Sequence, residues 1–187
     1  MIFSERLQSA VRLAVAAHAD QTRKGNDVPY IVHPLSVALI LARSGAEEDV
    51  VIAGLLHDTV EDSGGAVTLS MIQAQFGAAV AELVGHATER DKSLSWAERK
   101  TQALAHIYEM PHGALLLKSA DTLANLSDLG ADLRQGGEEV WQRFNAPKEE
   151  QVARYQKLVE AFKNVWPENP LLPEIERAVS KLGTIEV

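Results

Sequence analysis

Val50-Val51-Ile52-Ala53-Gly54-Leu55-Leu56-His57-Asp58-Thr59-Val60-Glu61-Asp62 runs from an apolar stretch straight into a histidine, an aspartate and two further acids. Read as one helix, residues four apart are displaced by only about 40° around the axis. His57 then stacks under Glu61 and Asp58 under Asp62, and the four polar groups share an arc of roughly 140°. The apolar run places that arc at the end of a buried helix. Three acids crowded there repel one another and resist desolvation, and a bound cation relieves both costs.

The rest of the chain suits such a helix. Its 187 residues are a natural size for a single domain with a real core. Apolar residues make up 46% and aromatic ones only 5%, with Ala, Leu and Val dominant, which favours packed helices over sandwiches or barrels. The predicted fold class is all-α, one compact multi-helix bundle. A net charge of −8 argues against a protein that coats nucleic acid or an anionic membrane, although local cations can still receive an anionic substrate. With no cysteine there are no disulfides, zinc fingers or thiol chemistry, and a cytoplasmic location is expected. The Ala-rich start superficially resembles a leader. Glu5 precedes the Ala-rich run and Arg12 interrupts it, however, and Leu7, Val11, Ala14, Val15 and His18 fall at helical spacing.

Start and stop signals divide the chain into helices. Ser4 caps a first helix reaching about Gln21, and Thr22–Val32 follows as a loop. His33-Pro34 opens a second helix ending near Ser44-Gly45, and a third runs unbroken from about Glu47 to Asp62. Thr68 caps a fourth, closed by Gly77, and a fifth covers about Ala78–Thr88. Glu89–Leu94 reads as a polar loop, and Ser95-Trp96-Ala97-Glu98 as a capping box for a helix to about Tyr108. A seventh helix spans roughly Ala114–Leu133, and Arg134–Ala146 reads as irregular around Gly136-Gly137. Pro147 starts a long helix and Pro173 a last one.

A metal needs ligands from more than one helix. The seventh helix offers Lys118, Asp121, Asn125 and Asp128 on one face about 80° wide, with Lys118 and Asp121 set among leucines. His33 stands at a loop-to-helix junction. Together His33, His57, Asp58 and Asp121 make a mixed nitrogen and oxygen site of the kind that suits Mn, Fe or Zn. Taken singly, His33 also reads as a turn residue and Asp121 as the partner of Lys118. His18 reads as a core or supporting group, and His86, His106 and His112 as helix-end or surface residues.

The ordered set His33, His57-Asp58 and Asp121 resembles the HD superfamily of metal-dependent phosphohydrolases. Ala17-His18-Ala19-Asp20-Gln21-Thr22-Arg23-Lys24-Gly25 and Pro29-Tyr30-Ile31-Val32-His33-Pro34 narrow the likeness. They look like the opening of the alarmone hydrolases, the hydrolase domains of RelA/SpoT proteins and their small stand-alone relatives, including the metazoan SpoT homologue. His57 through Asp62 and Lys118-Ser119-Ala120-Asp121 through Asn125 resemble that branch's later motifs, and the likeness covers roughly residues 10–160. Asp20 and Ser119 depart from the usual glycine and apolar neighbour.

The resemblance implies Mn²⁺-dependent removal of the 3′-pyrophosphate from guanosine or adenosine alarmones, with one divalent metal per chain on His33, His57, Asp58 and Asp121. It makes Glu61 and Asp62 the catalytic acids, without separate roles. It puts Arg23, Lys24 and Asn125 at the nucleotide, Lys92 at its far phosphates and Tyr155 beside it, with Phe144 a rival to Tyr155. The expected partner is a small nucleotide, not nucleic acid or membrane; monomer and homo-oligomer stay open. Competing readings are another HD phosphohydrolase (a nucleotidase or NADPH phosphatase), a catalytically dead alarmone-binding module and a purely structural helical protein.

Overall fold

In the computed structural model, residues 4–23, 27–89 and 93–182 are described. Among them the order is α1 (Glu5–Ala17), α2 (Val32–Arg43), α3 (Glu48–Leu56), α4 (Thr59–Asp62), α5 (Leu69–Phe76), α6 (Ala78–Ala87), α7 (Trp96–His106), α8 (His112–Gly136), α9 (Lys148–Val165) and α10 (Leu172–Leu182). Two 3₁₀ helices, Ile107–Glu109 and Gly137–Arg143, follow α7 and α8. An isolated antiparallel bridge joins Thr22 to Pro29, and no strand occurs among the described residues. The all-α class is therefore correct.

The element ends follow side-chain chemistry. Ser4 accepts from the Leu7 amide and Thr68 from the Met71 amide, and Ser95 and Glu98 form a complete capping box. At the end of α2, Ala46 N–H bonds the Leu41 carbonyl and Gly45 N–H the Ala42 carbonyl. That Schellman pattern requires Gly45 at φ +79°.

Three expected boundaries are wrong. α1 stops at Ala17 rather than Gln21, because the buried His18 turns its ring onto Gln21 (Nδ1 to Oε1, 2.7 Å). α8 runs on to Gly136, and most of the supposed irregular stretch is 3₁₀ helix with Val140 and Trp141 buried. Gly137, at φ +58°, ends this longer helix.

The third correction matters most: the helix predicted from Glu47 to Asp62 breaks between Leu56 and Thr59. Two side chains take the local carbonyls, Thr59 Oγ1 bonding Leu56 O at 2.7 Å and His57 Nδ1 meeting Gly54 O at 2.9 Å. Consecutive residues on a regular helix do not face each other. The break lets His57 and Asp58 do so.

α3 is the centre of the bundle, packed against α1, α2, α6 and α8. Val51 through Leu56 are all buried. α8 crosses it and is covered in turn by α2, α6 and α10. Ser119, with Thr122 one of two buried polar residues on α8, receives the Asn169 amide at 2.7 Å, so its hydroxyl is satisfied. Gly54 sets how closely α3 approaches α2. A Cβ there would stand 2.5 Å from Leu41 Cδ1, and Leu41 is fully buried.

Gly54→Ala is therefore expected to lower the melting temperature. Overpacking a core costs about 1–3 kcal/mol, against a helix-propensity gain of at most about 1 kcal/mol. Thermal denaturation decides, and an unchanged or higher melting temperature would contradict this packing.

Candidate active site

The apolar α3 delivers His57 and Asp58 at its buried end, α2 delivers His33 from its first turn, and α8 delivers Asp121 from mid-helix. His57 is 4% exposed and its Nδ1 faces the Gly54 carbonyl, so that nitrogen carries the proton and Nε2 is left for the site. Nε2 lies 3.1 Å from Asp58 Oδ2 and 4.0 Å from Asp121 Oδ1. It is buried and makes no hydrogen bond. His33, 2% exposed, brings its Nε2 to 3.6 Å from Asp58 Oδ2 and 3.4 Å from Asp121 Oδ1. Ligand atoms of His33, His57 and Asp58 all lie within 4.8 Å of one another, and Asp121 closes the group from the α8 side.

These groups shift one another. Burial works to discharge the His57 imidazole, but the Asp58 and Asp121 carboxylates outweigh it and hold its pKa at about 9. Burial likewise opposes ionisation of Asp58, yet His57 drives that carboxyl well below the usual range. Asp121 is held low, against its burial, by Lys118, His33 and His57. Two imidazoles and two ionised carboxylates meeting around a buried nitrogen without a hydrogen bond are a donor set that fits a divalent metal.

A ring of contacts holds the acids in place. Tyr30 donates to Asp58 Oδ2 at 2.7 Å, and its hydroxyl is pushed far up by burial and by that carboxylate. Lys118 Nζ bonds Asp121 Oδ2 at 2.8 Å and Asn125 Nδ2 bonds Asp121 Oδ1 at 2.6 Å. Arg23 donates to Asn125 Oδ1 at 3.1 Å and Asp128 Oδ2 at 2.8 Å, and its guanidinium lies 5.7 Å from the Tyr30 ring centroid. The predicted face Lys118-Asp121-Asn125-Asp128 is thus one connected network. His18 is buried behind it against Tyr30, ring centroids 4.9 Å apart, as expected of a supporting group.

Glu61 and Asp62 stand on α4, one turn beyond the break. Glu61 is half-buried and accepts the Glu89 amide on Oε2 at 3.2 Å, while Asp62 is exposed and its backbone carbonyl receives Gln21 Nε2 at 2.7 Å. Tyr155 is buried on α9 with the Arg154 guanidinium 5.1 Å from its ring centroid, and Asp121 and Lys118 are near enough for their charges to act on its phenol. Phe144 instead leans on Trp141, with centroids 5.9 Å apart. Lys24 and Lys92 lie outside the described residues. The other histidines do sit at helix ends, but in pairs: His86 stacks on His106 at 5.1 Å, and His112 on Trp166 at 4.5 Å.

One feature has no counterpart in the sequence reading. Beyond Lys118 a cavity of about 450 Å³ opens. Five cations line it, Arg99, Lys100, Lys118, Arg154 and Lys157, against the three acids Glu89, Glu109 and Glu150. In a chain of net charge −8 that local excess of positive charge suits an anion. The cations come from α7, α8 and α9, and all but Lys118 look, taken alone, like solvated helix residues.

The HD domain family model matches residues 10–152. The chain is 42% identical over 133 residues to the guanosine-3′,5′-bis(diphosphate) 3′-pyrophosphohydrolase MESH1 of Danio rerio, covering 70% of this chain and 72% of that protein. It is 40% identical over 137 residues to the Homo sapiens MESH1, covering 72% and 75%. A metazoan orthologue of SpoT, described as hydrolysing ppGpp, superposes with a TM-score of 0.80 at 27% identity over 98% of both chains. A crystal structure from Listeria monocytogenes EGD-e superposes with a TM-score of 0.73 at 37% identity, over 80% of this chain and 97% of that one. With the histidine–aspartate pair at the end of α3 and the family model spanning most of the helical core, the chain belongs to the HD domain family.

Proposed function

We propose that the protein is a Mn²⁺-dependent hydrolase that removes the 3′-pyrophosphate of an alarmone nucleotide, as (p)ppGpp or its adenosine counterpart, releasing pyrophosphate and restoring the 3′-hydroxyl. The observation that carries the reading is the buried His57 Nε2, without a hydrogen bond, facing two ionised carboxylates beside a cationic cavity. The MESH1 relatives, whose names specify this reaction, support the choice of substrate.

His33, His57, Asp58 and Asp121 would hold one Mn²⁺. When bound, the metal lowers the pKa of a coordinated water and polarises a phosphoryl oxygen. The protein's own groups do the rest. Glu61 and Asp62, on the turn beyond the ligands, orient the attacking water and take its proton. The P–O3′ bond breaks, pyrophosphate leaves, and the 3′-oxygen gains a proton. Tyr30 and Lys118 hold the two carboxylates in register. Arg23, fixed by Asn125 and Asp128, presents a flat cation to the base or phosphate of the nucleotide. The cations of the cavity receive the remaining phosphates. Lys24, Lys92 and Tyr155 are assigned to the nucleotide on family likeness.

Pyrophosphate release from a panel of ppGpp, pppGpp, the adenosine analogues, NADPH and ordinary nucleotides, with Mn²⁺ and then with chelator, tests the reading. Release from a 3′-pyrophosphate substrate that chelator abolishes is expected; turnover of ordinary nucleotides alone would replace it with a broader phosphohydrolase. Glu61→Gln with Asp62→Asn is expected to cut kcat by on the order of 10²–10⁴-fold with metal still bound, and near-normal turnover by that variant would remove both acids from the chemistry. Asp121→Asn should empty the site by elemental analysis; full metal occupancy would take Asp121 out of the ligand set.

The metal-free protein carries a pH signature. His57 is raised from 6.5 to about 9, so its contribution to stability is fully present below pH 6.5 and disappears as pH rises through 9. The metal-free melting temperature is expected to fall across that window, and a rise across it would contradict the charge arrangement.

A further inference from the structure

α7 is amphipathic in sequence, yet none of its residues is buried. Core packing holds it only through the partly buried Leu104, and it supplies Arg99 and Lys100 to the cationic cavity. His106 ties its far end to His86 at 3.0 Å, and Glu89 holds its first turns. The Glu89 carboxylate lies between the two cations, bonding Arg99 Nη1 through Oε2 and Lys100 Nζ through Oε1 at 2.6 Å. The three side chains are only 19%, 25% and 26% exposed, in the order Glu89, Arg99, Lys100. Burial opposes ionisation of Glu89, but the two cations hold its carboxyl below the usual range.

The same residue acts at its other end. Its backbone N–H donates to Glu61 Oε2 at 3.2 Å. We propose that Glu89 is a positioning residue that locks the α7 wall of the cavity and the Glu61 carboxylate into one arrangement before substrate arrives. This inference rests on the hydrolase reading above. Its side chain aims two cations at the cavity, and its main chain aims the acid at the reaction centre. Two neighbouring cations without the carboxylate between them repel each other. With only Leu104 and the His86–His106 contact holding its far half, the first turns of α7 would then shift outward, and the Glu89 amide that meets Glu61 would move with them.

A purely electrostatic role gives the opposite result. If Glu89 only dilutes positive charge in an anion site, removing it strengthens the local field and lowers KM without touching kcat. A positioning role lowers kcat and raises KM together, because both the reacting acid and the far-phosphate contacts lose their places.

The test is steady-state pyrophosphate release from ppGpp with saturating Mn²⁺, using wild type, Glu89→Gln, Glu89→Ala and Glu89→Asp, with bound metal measured for each. Gln and Ala are expected to lose on the order of 10–100-fold in kcat with a raised KM and unchanged metal. Asp, which keeps the charge and reaches one of the two cations, recovers part of kcat. Unchanged kinetics in Gln and Ala, a lower KM at unchanged kcat, or equal loss in Asp and Ala each overturns the proposal. The wild-type measurement separates this from the parent reading: no release by wild type overturns both, whereas wild-type release with indifferent Glu89 variants overturns only the role of Glu89.

Discussion

Four ionisable side chains meet at the dry end of the most apolar helix in the molecule, and the rest of the site answers that placement. His33 and His57 are almost fully buried, and Asp58 and Asp121 stay ionised beside them. Isolated charges in such a place cost several kcal/mol each. Here the carboxylates are held by the imidazoles, Tyr30, Lys118 and Asn125. Two buried nitrogens of the cluster, His33 Nδ1 and His57 Nε2, are left without a hydrogen bond. A fold seeking stability alone has no reason to gather these groups; a fold that holds a cation and presents it to phosphate does.

The architecture divides the labour between two helices. α3 is short, and its break at His57-Asp58 turns two adjacent residues onto one point. α8 is long and regular, and sets Lys118, Asp121, Asn125 and Asp128 along a single face that links the histidine–aspartate cluster to Arg23. The cationic cavity opens on the far side of Lys118, where α7 and α9 add Arg99, Lys100, Arg154 and Lys157. One lysine therefore belongs to both halves of the site.

Much of this was legible in the sequence, for physical reasons. The His57-Asp58 pair stands out because its apolar lead excludes a solvated face, and the α8 face because its 3-4-3 spacing interrupts leucines. Caps at Ser4, Thr68 and Ser95 are local chemistry and are readable as such. The α3 break was not legible, since Thr59 and His57 compete for carbonyls through side-chain bonds that periodicity does not encode. Tyr30 was visible only as part of a family motif, and its bond to Asp58 is a contact across 28 residues. The cavity was hidden for a related reason: its cations are scattered from Arg99 to Lys157, and only the packing of α7, α8 and α9 gathers them.

Titration calorimetry shows whether the buried cluster takes one divalent cation in exchange for a proton on His57. Metal-stripped protein is titrated with Mn²⁺ near pH 7.5 in buffers of different ionisation enthalpy, which separates the heat of binding from the heat of proton release. One Mn²⁺ per chain and about one proton released for each metal bound are expected, since His57 is protonated below about 9 without metal. Binding without proton release, or no stoichiometric binding at all, would contradict that exchange.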